Sequence, residues 1–179
     1  MTLNDSKKFK TAMKDKLMKA SLAHVVNEGW TMKSFRLGAS DCGFNPIEVL
    51  RIFPDGCRDA AAHFSKSLDQ KMLNSLSHLD LSSMRVSDRI TLSVKLRLEV
   101  AAENRIEFRR LVSFLSLPGN TILATRLVWR TCDEIWHAAG DTATDFNYYT
   151  KRGLLFPVLT STTVYWFDDN SENYSETWA

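Results

Sequence analysis

A chain of 179 residues with 44% hydrophobic and 25% charged residues has the balance of an ordinary globular domain, able to bury a core without disulfides or metals. A net charge of +2 makes no demand for a nucleic-acid partner, and Cys42, Cys57 and Cys132 are a scattered set without a Cys-x-x-Cys pair, which argues against a zinc or redox motif and fits a reducing cytoplasm. No window reaches the ~20 consecutive apolar residues of a membrane-spanning helix, and the polar, lysine-rich start with Asp5 and Asp15 reads as neither a secretory nor an organelle signal.

Phe9, Met13 and Leu17 fall at helical spacing among Lys7, Lys8, Lys10, Lys14, Lys16 and Lys19. The segment is either a basic amphipathic stretch that touches anionic lipid or the solvated face of a first helix ending at Gly29. Residues 31–54 then read as a helix-turn-helix: a short helix near Met32 to Ser40, a turn at Cys42-Gly43, and a second helix after Asn45 with Pro46 at its first position. Phe53-Pro54 ends it. A helix that enters the DNA major groove needs polar groups for phosphates and base edges, and residues 46–52 offer Pro, Ile, Glu, Val, Leu, Arg and Ile. Sequence-specific DNA binding is therefore set aside in favour of a scaffold role.

Ala60 to Leu76 reads as a helix with Ala61, Phe64, Leu68, Met72 and Leu76 inward, and its His63, like the following His78, lacks companions at metal-ligand spacing. Residues 90–100 are ambiguous. Ile90, Leu92, Val94, Leu96, Leu98 and Val100 alternate as in a half-buried strand, yet on a helix they form two stripes on opposite faces. Arg105 to Leu117 predicts a helix broken by Pro118-Gly119, and Asn120 or Thr121 can cap the next, whose apolar face holds Leu127, Val128, Ile135 and Trp136. Glu134 and His137 match half of a di-iron motif, but the other ligands are not evident.

That helix is expected to stop at Gly140, with Asp141 to Asp145 supplying caps for a last long helix from about Phe146. Its profile, two tyrosines and Lys151-Arg152 followed by an almost wholly apolar run, predicts exposure at the start and burial further on. Pro157 predicts a bend or a missing hydrogen bond back to Gly153. Asp168-Asp169 reads as a solvated turn. No Gly-x-Ser-x-Gly elbow or glycine-rich phosphate loop is present, so no catalytic residue, metal or cofactor is assigned.

Trp129-Arg130-Thr131, Asp133, Ile135-Trp136, Gly140-Asp141, Thr144-Asp145, Tyr149 and Lys151-Arg152 together resemble the coenzyme Q biosynthesis accessory family, the Coq-nine proteins. The likeness extends through Phe53-Pro54 and Pro118-Gly119. It implies an all-α, TetR-like fold, a single domain whose residues 1–54 are the helix-turn-helix portion and 55–179 the larger ligand-binding and dimerisation bundle, and it selects helix for residues 90–100. It also implies a non-catalytic protein that binds an isoprenoid ubiquinone precursor, with Trp129, Trp136, Leu155, Leu159 and Trp166 as candidate lipid-binding residues. The demethoxyubiquinone hydroxylase is then the partner, engaged through Asp145, Tyr148, Tyr149, Lys151 and Arg152. A homodimer follows from the resemblance, as does a bacterial cytoplasmic location peripheral to the inner membrane. In the family, a final amphipathic helix that attaches to membranes begins at the point that Asn173, Tyr174, Thr177 and Trp178 resemble, and a chain that stops at Ala179 is expected to keep only a weak, salt-sensitive membrane contact through Lys7 to Lys19. A TetR-class repressor, a small enzyme and a purely structural adaptor remain as alternatives.

Overall fold

The computed structural model describes residues 3–142, 144 and 146–179, with side chains from Lys8 onward. Among the described residues every regular element is helical: α1 (Leu3–Glu28), α2 (Met32–Asp41), α3 (Val49–Ile52), α4 (Cys57–Ser77), α5 (Val86–Ala102), α6 (Arg105–Leu115), α7 (Thr121–Ala138), α8 (Phe146–Trp166) and α9 (Ser175–Trp178). The all-α expectation holds, and residues 90–100 are helix. In α5 Val94 and Leu98 are buried, while Ile90, Leu92 and Leu96 pack at the edge of the same core, so both stripes find neighbours. The chain gathers into two compact units, Met1–Lys66 with Ile106–Leu123, and Ser67–Arg105 with Ala124–Ala179.

The first unit is built on a cluster of rings. Trp30 meets Phe35 and Phe64 at centroid separations of 5.4 and 5.7 Å, Phe35 meets Phe53 at 6.2 Å, and the Trp30 indole donates to the Cys57 carbonyl at 3.0 Å. Gly29 takes φ +71° to stop α1, and Thr31 caps α2 through its hydroxyl. A capping box then starts the second helix of the motif, as Asn45 accepts from Ile47 N–H while Glu48 accepts from Asn45 N–H. That helix opens as a 3-10 turn, Pro46–Glu48, before α3. α4 begins at Cys57, three residues earlier than the apolar spacing alone placed it, and all five of its expected inward residues are buried. Asn120, expected as a cap, is instead a buried brace that accepts from Arg58 Nε at 2.9 Å and donates to the Phe114 carbonyl at 2.8 Å.

The second unit centres on Met72, Leu76, Val94, Cys132, Ile135, Leu155 and Leu159, contributed by α4, α5, α7 and α8. Beside this apolar core Asp69, only 2% exposed, receives Arg97 Nε at 2.9 Å, Arg130 Nη2 at 3.3 Å and the Thr131 hydroxyl at 3.0 Å. Burial pushes the Cys132 thiol up to about 12.

α8 meets expectation at Pro157, where a backbone bond is missing, and departs from it in its burial. Pro157 has no N–H to give Gly153, yet the helix carries on to Trp166. Beyond its first turns the helix is buried on one side only: Leu154 is 67% exposed, Val158 53%, Val164 59% and Tyr165 54%. Leu155, Leu159 and Thr163 face inward, so the apolar run divides between a core face and an open face.

Candidate functional site

The junction of α7 and α8 is where the sequence concentrated its signal. α7 ends as expected at Gly140, φ +93°, with Gly140 N–H donating to the His137 carbonyl and Asp141 N–H to the Trp136 carbonyl. This turn carries the Asp141 carboxylate inward, its side chain 5% exposed, where it accepts from Lys151 Nζ at 2.7 Å and Arg152 Nη1 at 3.0 Å. Arg152 Nε donates to Asp133 at 2.7 Å, Nη1 also reaches the Tyr148 carbonyl at 3.1 Å, and the guanidinium lies 3.5 Å from the Tyr148 ring centre. Burial of Arg152 works against its charge, but the bonds from Asp133 and Asp141 prevail and raise its pKa. The Tyr148 hydroxyl is raised too, first by its hydrogen bond to Asp133 and then by burial. Lys151 sits 5.3 Å over the Trp136 ring, and the Trp136 indole donates to the Lys151 carbonyl at 3.0 Å.

These contacts sort the residues expected at a partner surface. Arg152 is 3% exposed, and with Lys151 and the half-buried Tyr148 it ties the start of α8 to the end of α7. Tyr149 faces outward at 63% exposure beside Phe146 at 81%, and its ring lies 6.4 Å from Trp129 and 5.1 Å from Tyr148. Asp145 lies outside the described residues. Phe146 is the residue that sequence reasoning passed over, although a phenylalanine opening a helix is itself a sign of an exposed anchor.

The candidate lipid-binding residues are dispersed. Leu155 and Leu159 belong to the core cluster, Trp136 packs at its edge, and Trp129 is half-buried against Tyr149. Trp166 is fully buried, with Arg105 stacked 5.2 Å from its ring. A groove of about 900 Å³ runs instead along the open side of α8, walled by Pro157, Thr160, Val164 and Tyr165 and rimmed by Asp168 and Glu176.

At the end of α8, the expectation of a solvated carboxylate pair fails for Asp169. It is 3% exposed, accepting from the backbone and hydroxyls of both Ser171 and Thr177, and its carbonyl accepts from Arg105 Nη2 at 2.6 Å. Burial acts to raise its pKa, but the four bonds outweigh it and hold the carboxyl down at about 2. The segment it secures includes Asn173 and Tyr174 at φ +53° and +57°, a left-handed turn that the Tyr174–Arg105 stack helps to hold. Because the folded carboxyl is depressed, its contribution is complete above the ordinary value of 3.8 and is lost as pH falls toward about 2. Limited proteolysis of the C-terminal segment should stay slow at neutral pH and accelerate across that acid window. In Asp169→Asn, which accepts fewer bonds, the segment should be cut readily at neutral pH.

Residues 122–179 match the COQ9 family model. The chain is 29% identical to the mitochondrial ubiquinone biosynthesis protein COQ9 of Drosophila melanogaster over 98% of its own length and 55% of that protein. It is 27% identical to the human mitochondrial COQ9 over 93% of its length and 54% of that protein, and 27% identical to a probable mitochondrial coq9 of Dictyostelium discoideum over 93% and 56%. It thus spans about half the length of these relatives. Its structure superimposes on a TetR transcriptional regulator of Nitrosomonas europaea with a TM-score of 0.71 at 19% identity, covering 93% of this chain and 91% of that one. The expected bacterial cytoplasmic location is overturned by relatives that are named as mitochondrial. The polar first residues did not bear on it, since a chain matching half of its relatives does not decide the compartment. The family model and the relatives agree that this chain is similar to COQ9 proteins, and its helical fold is TetR-like.

Proposed function

We propose that this chain serves ubiquinone biosynthesis as a non-catalytic accessory protein that binds an isoprenoid quinone precursor and presents it to the demethoxyubiquinone hydroxylase. The observation that carries the reading is the open face of α8, which holds Phe146, Tyr149, Leu154, Val158, Val164 and Tyr165 in contact with water. An apolar face of that extent on a globular surface marks an interaction site. Its two ends differ in chemistry. The aromatic end, Phe146, Tyr149 and Trp129, has the large, rigid anchors typical of protein interfaces, and we assign it to the hydroxylase. The groove at the other end suits a polyprenyl segment. Moving a tail from bilayer to such a groove exchanges one apolar environment for another, so burial in protein offsets the lost lipid contacts. A tail seated more deeply must part Leu155 and Leu159 from Cys132 and Ile135.

A second reading of the same face has its own observation. Gly153, Pro157 and Ser161 recur every four residues on the exposed side of α8, leaving a furrow in which a second copy of the helix can approach closely. The homodimer then forms here, and Val158→Asp should convert it to monomer in sedimentation. DNA binding draws no support, since Ile47 stands 82% exposed where a phosphate or base contact would be needed.

The test is mass spectrometry of lipids extracted from the purified protein. A quinone-class isoprenoid should accompany the wild type and Tyr149→Ala, and should be lost from Ser161→Trp, which fills the groove. Absence of lipid from the wild type, or its retention by Ser161→Trp, overturns the lipid assignment.

A further inference from the structure

The helix-turn-helix of the first unit has an outer surface that the α8 reading leaves unused. Ile47 is 82% exposed and Leu50, one turn on, 51%, while their neighbours Val49 and Ile52 are buried at 1% and 8%. The short helix is therefore fixed from beneath and presents two aliphatic side chains outward. The capping box of Asn45 and Glu48, with Pro46 between them, holds the knob rigid. Neither side chain can be explained as core.

Cations flank the knob, whose one acid, Glu48, is engaged by Asn45 N–H and Arg51. Lys16 Nζ lies 5.1 Å over the ring of Phe44 and donates to the Cys42 carbonyl at 3.2 Å, just before the capping box. Lys14 Nζ lies 5.4 Å over Phe53, just after α3, and the 85% exposed Arg51 side chain forms only a long, 3.9 Å ion pair with Glu48. From Lys8 to Pro54 there are eight Lys and Arg against four Asp and Glu, a net of +4. Aromatic contacts park the two lysines beside the knob instead of leaving them to range over the surface.

We infer that Ile47 and Leu50 insert into the interface of an anionic bilayer while Lys14, Lys16 and Arg51 engage its headgroups. The inference goes beyond the carrier reading and does not depend on it. Aliphatic side chains with no polar function gain by entering the acyl boundary, and each nearby cation adds attraction to an anionic surface. On DNA, thymine methyl groups would be the main major-groove contact open to Ile47 and Leu50, since most phosphate and base-edge readout is polar. A protein hot spot is instead expected to be rich in Trp, Tyr and Arg.

Flotation with phosphatidylcholine vesicles, with and without phosphatidylglycerol, tests this. The wild type should bind the anionic vesicles, retaining part of that binding at high salt. Ile47→Glu/Leu50→Glu, altered only at exposed positions, should keep the wild-type Tm and bind them at least roughly tenfold more weakly. In Ile47→Trp, tryptophan emission should shift to the blue on vesicle addition and be quenched by lipids brominated near the interface. The inference is overturned if the double variant binds vesicles like the wild type or if the Ile47→Trp emission does not move. It is equally overturned if the wild type ignores vesicles and shifts duplex DNA, or if the double variant keeps vesicle binding and loses only the hydroxylase.

Discussion

Asp69→Ala is expected to be the most damaging single substitution in the second unit, lowering stability by about 3–5 kcal/mol. Asp69 is a lone carboxylate serving Arg97, Arg130 and Thr131 in a place where its own side chain is 3% exposed and that of Arg97 is 7%. Truncation leaves the Arg97 guanidinium charged without that carboxylate, and the desolvation that Asp69 offset, more than any lost attraction, sets the cost. For a chain of this size the loss corresponds to a Tm lower by on the order of 10 °C. Asp69→Asn, which keeps an acceptor but no charge, should fall between. Thermal denaturation of the three proteins checks the order, and equal Tm values for Asp69→Ala and wild type would show that the cluster contributes nothing to stability.

A second large effect is expected at Arg152, with Tyr149 as its contrast. Arg152→Ala removes bonds to Asp133 and Asp141 together with the stack on Tyr148, and takes the guanidinium away from a 5% exposed Asp141. Charge-assisted bonds lost in this setting imply a cost of ~2–4 kcal/mol. Tyr149→Ala removes a 63% exposed ring and should change stability by no more than ~0.5 kcal/mol. On the proposed function the hydroxylase pull-down is lost in both variants, but only Arg152→Ala should show a lowered Tm. A Tyr149→Ala protein that still captures the hydroxylase would move the partner surface elsewhere.

The helix stops were the most legible part of the chain. At Gly29 and Gly140 a glycine with positive φ closes a helix where the apolar spacing ends, and both can be read from local chemistry alone. Residues 90–100 were not legible in that way, because an alternating apolar pattern serves a strand and a helix packed on two sides equally well. Arg152 misled for a different reason. A Lys-Arg pair at a helix start looks solvent-facing, and only the fold brings Asp133 and Asp141, 19 and 11 residues earlier, around it. The same limit applies to Asp169, whose four bonds come from residues that look like ordinary turn formers, and to α8, where an apolar run says nothing about which side remains uncovered.

The clasp at the end of α8 also has a mechanical meaning. Arg105 joins the Trp166 and Asp169 carbonyls with one guanidinium while lying against the rings of both Trp166 and Tyr174, and Asp169 holds Thr177 two residues from the chain's last described position. Tension applied at Trp178 is therefore carried first by Asp169 and then by Arg105, and it reaches the buried turns of α8 only after those bonds part. The left-handed turn at Asn173 and Tyr174 lies inside the loop that the Asp169–Thr177 bonds close, so its slack is released only after they part. The clasp acts as a shear fuse, yielding before the core around Leu155 and Leu159 is loaded.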